Sequence, residues 1–160
     1  MMDKTTCDLC DDYPALLQVA EPLFHSYGGA SRFSGRIATI RCREDNSRFR
    51  ELILEDGRGR VIVIDGGGSL RRALLGDRLA GIAVRNGWQG IVVHGAVRDA
   101  EALVELPFGV LALGLCPMRP ANDGAGEQGI PVQFAGVRFE PDHYLYADRN
   151  GLVVASQALT

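Results

Sequence analysis

Three short apolar runs lie in the middle of the chain. They are residues 61–65 (VIVID), 91–95 (IVVHG) and 109–115 (GVLALGL). Runs of this length without polar alternation are typical of strands that are buried on both faces, as in a parallel sheet. The pattern therefore predicts three neighbouring buried strands.

Segments with helical periodicity connect these runs. A helix is expected from Asp77 to about Asn86, because apolar residues recur on one of its faces and Gly87 offers a C-cap. A shorter helix is expected in residues 99–106, where Pro107 stops it. Strands that alternate with helices in this way favour an α/β layer with parallel strands.

The two ends of the chain are patterned differently. Short helical pieces are expected in residues 5–24, a strand in 36–44, and a helix in 46–56 that is capped by Asn46 or Ser47. After a Gly- and Pro-rich loop, the C-terminal third alternates short strands with turns, in residues 132–139, 143–148 and 151–156. These strand-rich ends predict a second sheet beside the first. We therefore predict a single α/β domain over residues 1–160 with a layered β/β/α arrangement.

Composition and charge narrow the class of protein. Hydrophobic residues make up 46% and charged residues 23% of the 160 positions, which is ordinary for a soluble globular protein. The net charge of −3 gives no electrostatic reason to expect direct nucleic-acid binding. No apolar run approaches the roughly 20 residues that span a bilayer. The N-terminus lacks the apolar segment of a secretory signal, so we expect a cytoplasmic protein without membrane contact.

Cys7 and Cys10 form a CxxC pair. A structural zinc site would need two more ligands, and Cys42 and Cys116 stand alone, far along the chain. A thioredoxin-like motif should follow a strand, whereas this pair lies in an acidic N-terminal segment. We favour reduced thiols, with one face of the pair packed inward.

Two features near the ends of the first two apolar runs admit more than one interpretation. The backbone amides of Gly66–Gly68 could cradle an anion, but a tight turn that allows close backbone approach is at least as well supported. His94 could act as an acid or base near neutral pH. We favour a half-buried histidine that is hydrogen-bonded to the backbone.

The charged residues Asp77, Arg98 and Asp99 carry the most specific chemistry. Taken alone, Asp77 and Asp99 could each be the N-cap of the helix that follows. Twenty residues separate Asp77 from Arg98, which is enough for one helix, a turn and a returning strand. In a right-handed βαβ unit both points then lie at the carboxyl edge of the sheet, where α/β folds place their ligands. One edge would present a helix N-terminus, two carboxylates and a guanidinium.

The spacing of these residues resembles the D-x20-R-D motif of the class II 4-hydroxy-4-methyl-2-oxoglutarate (HMG/CHA) aldolases. The resemblance extends along nearly the whole chain to the RraA (regulator of ribonuclease activity A) and MenG-like family. It rests on the segments CDLCDDY, AEPLF, FSGRIATIRC, GRGRVIVIDGGGSLRRALLGDRLA, HGAVRD and GVRFEPDHYLYAD. The resemblance implies a swivelling β/β/α domain that assembles as a homotrimer, or a dimer of trimers, with active sites between subunits.

The resemblance also implies roles for individual residues. Gly76, Asp77, Arg78 and Leu79 would form the backbone cradle for the carboxylate of a small 2-oxo acid substrate. Arg98 would contact the substrate as a catalytic residue, and Asp77 would orient a water that acts as the base. Asp99 would hold a divalent cation, Mg²⁺ or Mn²⁺. The implied activity is that of a lyase: HMG aldolase, with oxaloacetate decarboxylation through the same pyruvate enolate.

Two alternatives to an enzyme stay open. The chain could be a regulator that binds and inhibits ribonuclease E without chemistry of its own, or a trimeric scaffold without activity. Some active family members carry an acidic residue three positions after the metal aspartate, and this chain has Ala102 there, with Glu101 one position early. Regulators from enteric bacteria can lack the metal aspartate, whereas this chain retains Asp99.

Overall fold

A mixed sheet of ten strands forms the centre of the computed structural model, which describes residues 2–160. The helices are α1 (Thr6–Asp12), α2 (Ser47–Leu52), α3 (Asp77–Arg85) and α4 (Ala100–Leu103). The strands are β1 (Leu17–Val19), β2 (His25–Ser26), β3 (Phe33–Arg41), β4 (Arg60–Asp65), β5 (Ala73–Leu75), β6 (Gly90–Val97), β7 (Gly109–Leu115), β8 (Glu127–Gln128), β9 (Val132–Phe134), β10 (Val137–Phe139), β11 (Tyr144–Asp148) and β12 (Gly151–Ala155).

The large sheet has the order β1-β12-β11-β3-β4-β6-β7-β2, with β5 paired to β6 and β8 paired to β3. Strands β3, β4, β6 and β7 are parallel, as predicted for the central apolar runs. Residues 61–64 and 91–93 are fully buried, because both faces of these strands are covered. The remaining two strands, β9 and β10, form a separate antiparallel hairpin.

Different elements cover the two faces of the parallel strands. On one face, Ile62, Ile64 and Ile91 pack in a core with residues of α2, α3 and α4. On the other face, Val61 and Val63 pack with residues of the β9–β10 hairpin and of β11 and β12. This arrangement of helices, sheet and further strands confirms the predicted α/β fold class with β/β/α layering.

The strand-rich ends of the chain differ from the prediction in how they pair. Strands β1, β11 and β12 extend the large sheet instead of forming a second one, because the first part of β3 pairs with β11 while the rest pairs with β4. The helical prediction for residues 5–24 holds only for α1. Leu17–Val19 is a strand, since it pairs with Val153–Ala155 of β12.

The predicted helices near the sheet are largely confirmed. Helix α3 runs from Asp77 to Arg85, and Gly87 follows its C-cap with the positive φ of +90° that glycine tolerates. Asn46 precedes α2 at the N-cap position, but its side chain does not cap that helix. The Asn46 amide donates instead to the Leu74 carbonyl at 3.1 Å. The β5 strand that contains Leu74 was not predicted.

None of the helices within residues 2–160 is long and apolar enough to cross a membrane.

All four cysteines are free. Cys10 is partly buried against the core below α1, whereas Cys7 is exposed.

Candidate active site

The carboxyl ends of β5 and β6 bring the two halves of the D-x20-R-D motif together. Leu75 at the end of β5 pairs with Val97 at the end of β6, and the Arg98 N–H donates to the Leu75 carbonyl at 2.9 Å. Helix α3 starts two residues after Leu75. The first turn of α3 therefore lies beside Arg98 and Asp99, as the βαβ argument predicts.

Asp99 contacts the N-terminus of α3 directly. Its Oδ2 accepts a hydrogen bond from the Asp77 N–H at 3.0 Å. Gly76 occupies the N-cap position of α3, and a Cβ added there would lie 2.6 Å from the same Asp99 oxygen. Any larger residue at position 76 would therefore displace the Asp99 carboxylate from the α3 N-terminus.

Asp99 also has an unusual backbone. Its φ of +63° and ψ of 45° lie in the left-handed region, which costs a non-glycine residue about 1 kcal/mol or more. The Asp99 carbonyl accepts from the Leu103 N–H at 2.9 Å, but the side chain makes no cap hydrogen bond to α4. The backbone conformation directs the carboxylate away from α4 and towards α3, and strained residues of this kind cluster at functional sites.

The N-cap alternatives for the two aspartates are thus resolved. Asp77 is the first helical residue of α3 and not its N-cap, because Gly76 holds that position. Asp99 does stand at the N-cap position of α4, but through its backbone alone. Both carboxylates remain exposed and available for a ligand.

A cavity of about 100 Å³ lies between these groups. Each of the predicted residues lines it: Gly76, Asp77, Arg78, Leu79, Arg98 and Asp99. In the first turn of α3 the N–H groups of Arg78 and Leu79 have no intrahelical acceptor, so they are free to bind an anion with help from the helix dipole. The space holds several waters or one small organic acid, since one water needs roughly 10–15 Å³.

The Arg98 guanidinium is held at the edge of the same cavity. Its Nη1 donates to the Pro117 carbonyl at 3.2 Å, and the side chain is half-buried. The remaining N–H groups form a planar fork that suits a carboxylate or an enolate oxygen. Arg98 makes no salt bridge to any acid within residues 2–160.

Asp99 has the chemistry of a ligand for a hydrated divalent cation. No three His, Cys, Asp or Glu side chains gather into a metal-binding group in the part of the chain that the structure describes. Mg²⁺ needs no such group, because it keeps several waters and often takes one or two protein carboxylates. Asp99 Oδ2 is occupied by the Asp77 N–H, which leaves Oδ1 as a ligand atom. This donor set fits Mg²⁺ or Mn²⁺ better than zinc.

The neighbouring strand ends do not form a second anion site. The Gly66 and Gly68 N–H groups both donate to the His94 carbonyl, at 3.1 and 3.0 Å, and the Gly67 N–H donates to Asp65 Oδ1 at 2.9 Å. With φ of +66° and +74° at Gly67 and Gly68, this segment is a tight turn. The anion-cradle interpretation of these glycines is therefore wrong.

The His94 side chain also differs from its predicted state. Its ring stacks on Phe134 with centroids 4.8 Å apart, and its buried Nδ1 has no hydrogen-bond partner. The nearest acidic atom, Asp65 Oδ1, is 3.8 Å away. The expected hydrogen bond from the His94 side chain to the backbone is absent within residues 2–160, and His94 does not line the cavity beside Asp99.

Sequence reasoning missed half of the residues that line this cavity: the β5 residues Ala73, Leu74 and Leu75, and the more distant Asn46, Arg50 and Pro120. Asn46 Oδ1 accepts from Arg50 Nε at 3.0 Å, and its amide donates to β5, so Asn46 connects α2 to the site. These residues come from segments that only the tertiary structure brings to this edge. No local motif marked them.

The chain is therefore an α/β protein whose parallel strands present a helix N-terminus, a guanidinium and a carboxylate at one edge of the sheet. The sequence model of the RraA-like family, described as Aldolase/RraA, matches residues 6–154. The chain belongs to this family.

Relatives and solved structures agree with this assignment. The chain is 57% identical over 159 residues to a Xanthomonas campestris protein named "Putative 4-hydroxy-4-methyl-2-oxoglutarate aldolase", covering 99% of this chain and 95% of that protein. An Azotobacter vinelandii protein of the same name is 52% identical and covers 99% and 98%.

The fold superposes closely on two solved structures. The RNA-processing inhibitor RraA from Thermus thermophilis has a TM-score of 0.95 and 45% identity, with 99% of this chain and 96% of that chain covered. A protein from Geobacillus kaustophilus, described as an S-adenosylmethionine: 2-dimethylmenaquinone methyltransferase, has a TM-score of 0.96 and 47% identity, with 98% and 97% covered.

Proposed function

We propose that the protein is a divalent-metal-dependent class II aldolase that cleaves 4-hydroxy-4-methyl-2-oxoglutarate into two molecules of pyruvate. The observation that carries the proposal is the convergence of the α3 N-terminus, Arg98 and Asp99 on one small cavity. The names of the relatives with 51–57% identity support this substrate.

The first turn of α3 binds the carboxylate next to the 2-oxo group. The Arg78 and Leu79 N–H groups donate to it, and the positive end of the helix dipole favours its charge. Arg98 donates to the 2-oxo oxygen, where negative charge builds up during the reaction. A divalent cation held by Asp99 would supply Lewis-acid polarisation of this 2-oxo group.

The cleavage is a retro-aldol reaction. A water oriented by Asp77 accepts the proton of the 4-hydroxyl, the C3–C4 bond breaks, and C4 becomes the 2-oxo carbon of the first pyruvate. The bonding electrons pass to C3 and the 2-oxo oxygen as the enolate of the second pyruvate. Arg98 stabilises that enolate until a proton is returned to C3.

Oxaloacetate decarboxylation follows from the same arrangement as a side activity. Oxaloacetate also carries a carboxylate next to a 2-oxo group, and loss of its distal carboxylate as CO2 leaves the same pyruvate enolate. The cavity therefore needs no further group to stabilise this reaction.

The replacement Asp99→Asn tests the proposal. Pyruvate release from 4-hydroxy-4-methyl-2-oxoglutarate with Mg²⁺ should fall at least about 100-fold, because each 1.4 kcal/mol of lost transition-state stabilisation is a factor of ten. Asparagine tolerates a positive φ, so the backbone at residue 99 is retained. A chelator should abolish the activity of the original protein.

Asp142→Asn is the matched control, since Asp142 also has a positive φ of +68° but lies on the exposed surface away from the cavity. It should leave the rate unchanged. An unaltered rate in Asp99→Asn, or an original protein that releases no pyruvate with Mg²⁺ or Mn²⁺, would refute the aldolase proposal.

A second candidate function is inhibition of ribonuclease E through protein contacts. It is supported by the 45% identity and the 0.95 TM-score to the Thermus RNA-processing inhibitor. If this function holds, Asp99→Asn should bind the ribonuclease as well as the original protein does. The two functions are compatible, because the cavity and an outer surface need not overlap.

We also propose that the chain assembles as a homotrimer. Three exposed apolar side chains, Leu70, Leu115 and Met118, lie on adjoining segments near the site, where the Ala73 N–H donates to the Met118 carbonyl. Exposed apolar groups that adjoin in this way are typical of protein interfaces. The molecular mass in solution tests the assembly.

A further inference from the structure

The cavity beside Asp99 continues into a wider cleft of about 600 Å³. Four arginines line this cleft: Arg50, Arg72, Arg98 and Arg119. Arg50 and Arg98 line the inner cavity as well, so the two spaces adjoin. The one acidic residue along the cleft is Asp123.

None of the four guanidiniums is within 4.0 Å of a carboxylate in residues 2–160. Their protein partners are neutral: Arg50 Nε donates to Asn46 Oδ1 at 3.0 Å, and Arg98 Nη1 donates to the Pro117 carbonyl at 3.2 Å. Arg72 Nη1 lies 3.5 Å from the Arg119 carbonyl. These contacts orient the guanidiniums and leave most of their donors free.

The loop that carries Arg119 is anchored by a buried acid. Asp45 is 4% exposed, and its two carboxylate oxygens accept from the Ser47 and Asp123 N–H groups, each at 2.8 Å. Ser47 Oγ also donates to Asn122 Oδ1 at 2.9 Å. The outer wall of the cleft is therefore tied to the start of α2 and is not a free loop.

Three half-buried arginines and one exposed arginine, against the single Asp123, give this cleft an excess of positive charge. Bidentate binding of a carboxylate is the contact that such guanidiniums favour. An anion that extends outward from the inner cavity would meet Arg72 and Arg119, which line only the outer cleft.

We propose that this cleft binds the second carboxylate of a dicarboxylic 2-oxo acid, and that Arg72 and Arg119 select dianionic over monoanionic substrates. The inference rests on the proposed function, since the first carboxylate is assigned to the α3 N-terminus. The inference assigns Arg72 and Arg119 to the recognition of the departing half of the substrate. Neither residue belongs to the D-x20-R-D motif.

The test is a binding measurement that needs no turnover. 2-Oxoglutarate carries a second carboxylate but no 4-hydroxyl, so it cannot undergo the retro-aldol reaction. 2-Oxopentanoate has the same chain length without the second carboxylate. Calorimetric titration of both acids with Mg²⁺ should give a Kd at least about 10-fold lower for 2-oxoglutarate, because charge-assisted hydrogen bonds from the guanidiniums would hold its second carboxylate.

The double replacement Arg72→Gln/Arg119→Gln should remove this preference and leave the Kd of 2-oxopentanoate within about twofold, since its single carboxylate binds at α3. Arg71→Gln is the matched control, because Arg71 is an exposed arginine next in sequence to Arg72 that lines neither space. It should keep the full preference. Circular dichroism establishes that each variant is folded.

Equal affinity for the two acids in the original protein, or a preference that survives the double replacement, would overturn the proposed subsite. Failure of the aldolase proposal has a different signature. In that case 2-oxoglutarate is still preferred and the preference still depends on Arg72 and Arg119, but no pyruvate is released from 4-hydroxy-4-methyl-2-oxoglutarate.

Discussion

Arginines occur at both ends of the parallel strands, in opposite electrostatic settings. Before and at the start of β4, Arg58 pairs with Asp56 at 2.7 Å, and Arg60 pairs with Glu55 at 3.1 Å. The Arg60 guanidinium also lies 4.5 Å from the centre of the Trp88 ring. At the carboxyl ends of β5 and β6, the arginines of the cleft have no carboxylate partner among the described residues 2–160.

The difference separates arginines that stabilise the fold from arginines that we propose bind a ligand. At the amino end, the hydrogen bonds from Arg58 lower the pKa of Asp56 to about 2, so this acid stays ionised and paired. In the cleft at the carboxyl ends of β5 and β6, Arg50 and Arg98 are oriented by neutral groups and keep free donors. Arginines without a paired carboxylate lower the stability of the fold, and such a loss of stability is common where a site must bind a ligand.

Arg98→Gln should show the largest effect. Removing one preorganised donor to a developing oxyanion lowers kcat by about 10²–10³-fold, so pyruvate release should fall by that factor. Since the Arg98 side chain makes only one hydrogen bond within residues 2–160, to the Pro117 carbonyl, the melting temperature should change little.

Arg60→Gln is the counterpart at the other end of the sheet. It removes the ion pair with Glu55 and the contact with Trp88, which together contribute about 1 kcal/mol. The melting temperature should fall by about 2–4 °C while kcat/KM stays the same. If Arg60→Gln impaired catalysis, or Arg98→Gln only destabilised the fold, the distinction between the two ends would be wrong.

Gly76→Ala should have the next largest effect. The new Cβ would lie 2.6 Å from Asp99 Oδ2, so the carboxylate must move away from the α3 N-terminus. Misplacing a group that positions substrate or cation should lower kcat/KM by about 10-fold to 100-fold.

Gly81→Ala is the control within the same helix. Its Cβ would meet only Arg85 Nη1 at an ordinary 3.6 Å, and alanine is favoured over glycine inside a helix by about 1 kcal/mol. This variant should be slightly more stable and fully active. Equal activity in both alanine variants would show that the position of the Asp99 carboxylate does not matter for catalysis.

Local pattern was sufficient to predict the part of the fold that carries the motif. Continuous apolar runs identified β4, β6 and β7, and the cap at Gly87 identified the end of α3. The convergence of Asp77 and Asp99 followed from the geometry of a βαβ unit alone. The roles of these residues rest on the family resemblance and stay predictions.

Features that depend on distant pairing escaped sequence reasoning. Strand β5 has three residues, and its conformation depends on pairing with β6 and on the Asn46 amide. Arg50 and Arg119 reach the site from α2 and from a Gly- and Pro-rich loop, 69 positions apart in the chain. The hydrophobic periodicity of these two segments does not indicate where their arginines lie in the folded protein.

Asp45→Asn tests the anchoring of that loop, and its effect near neutral pH should be smaller than the effects of the replacements at the site. Burial tends to raise the pKa of Asp45, but the hydrogen bonds from Ser47, Asp123 and Ala125 outweigh burial and leave the pKa lowered. The carboxylate therefore contributes stability above its unfolded pKa of about 3.9, and the contribution is lost as the pH falls through the folded value. Urea denaturation at pH 7 should show a loss of about 1 kcal/mol in the variant.

At pH 3 the difference between the original protein and Asp45→Asn should shrink, because pH 3 lies below the ordinary carboxyl pKa of about 3.9, so the unfolded chain takes up a proton at residue 45 and the stabilisation by the folded carboxylate declines. The same replacement at Asp56, at the opposite end of the sheet, should change stability less at pH 7, since water screens its exposed pair with Arg58. A difference for Asp45→Asn that stays constant between pH 7 and pH 3 would contradict the role of its carboxylate. The loop that carries Arg119 would then be anchored by the remaining hydrogen bonds, such as that from Ser47 Oγ to Asn122 Oδ1, and not by a buried charge.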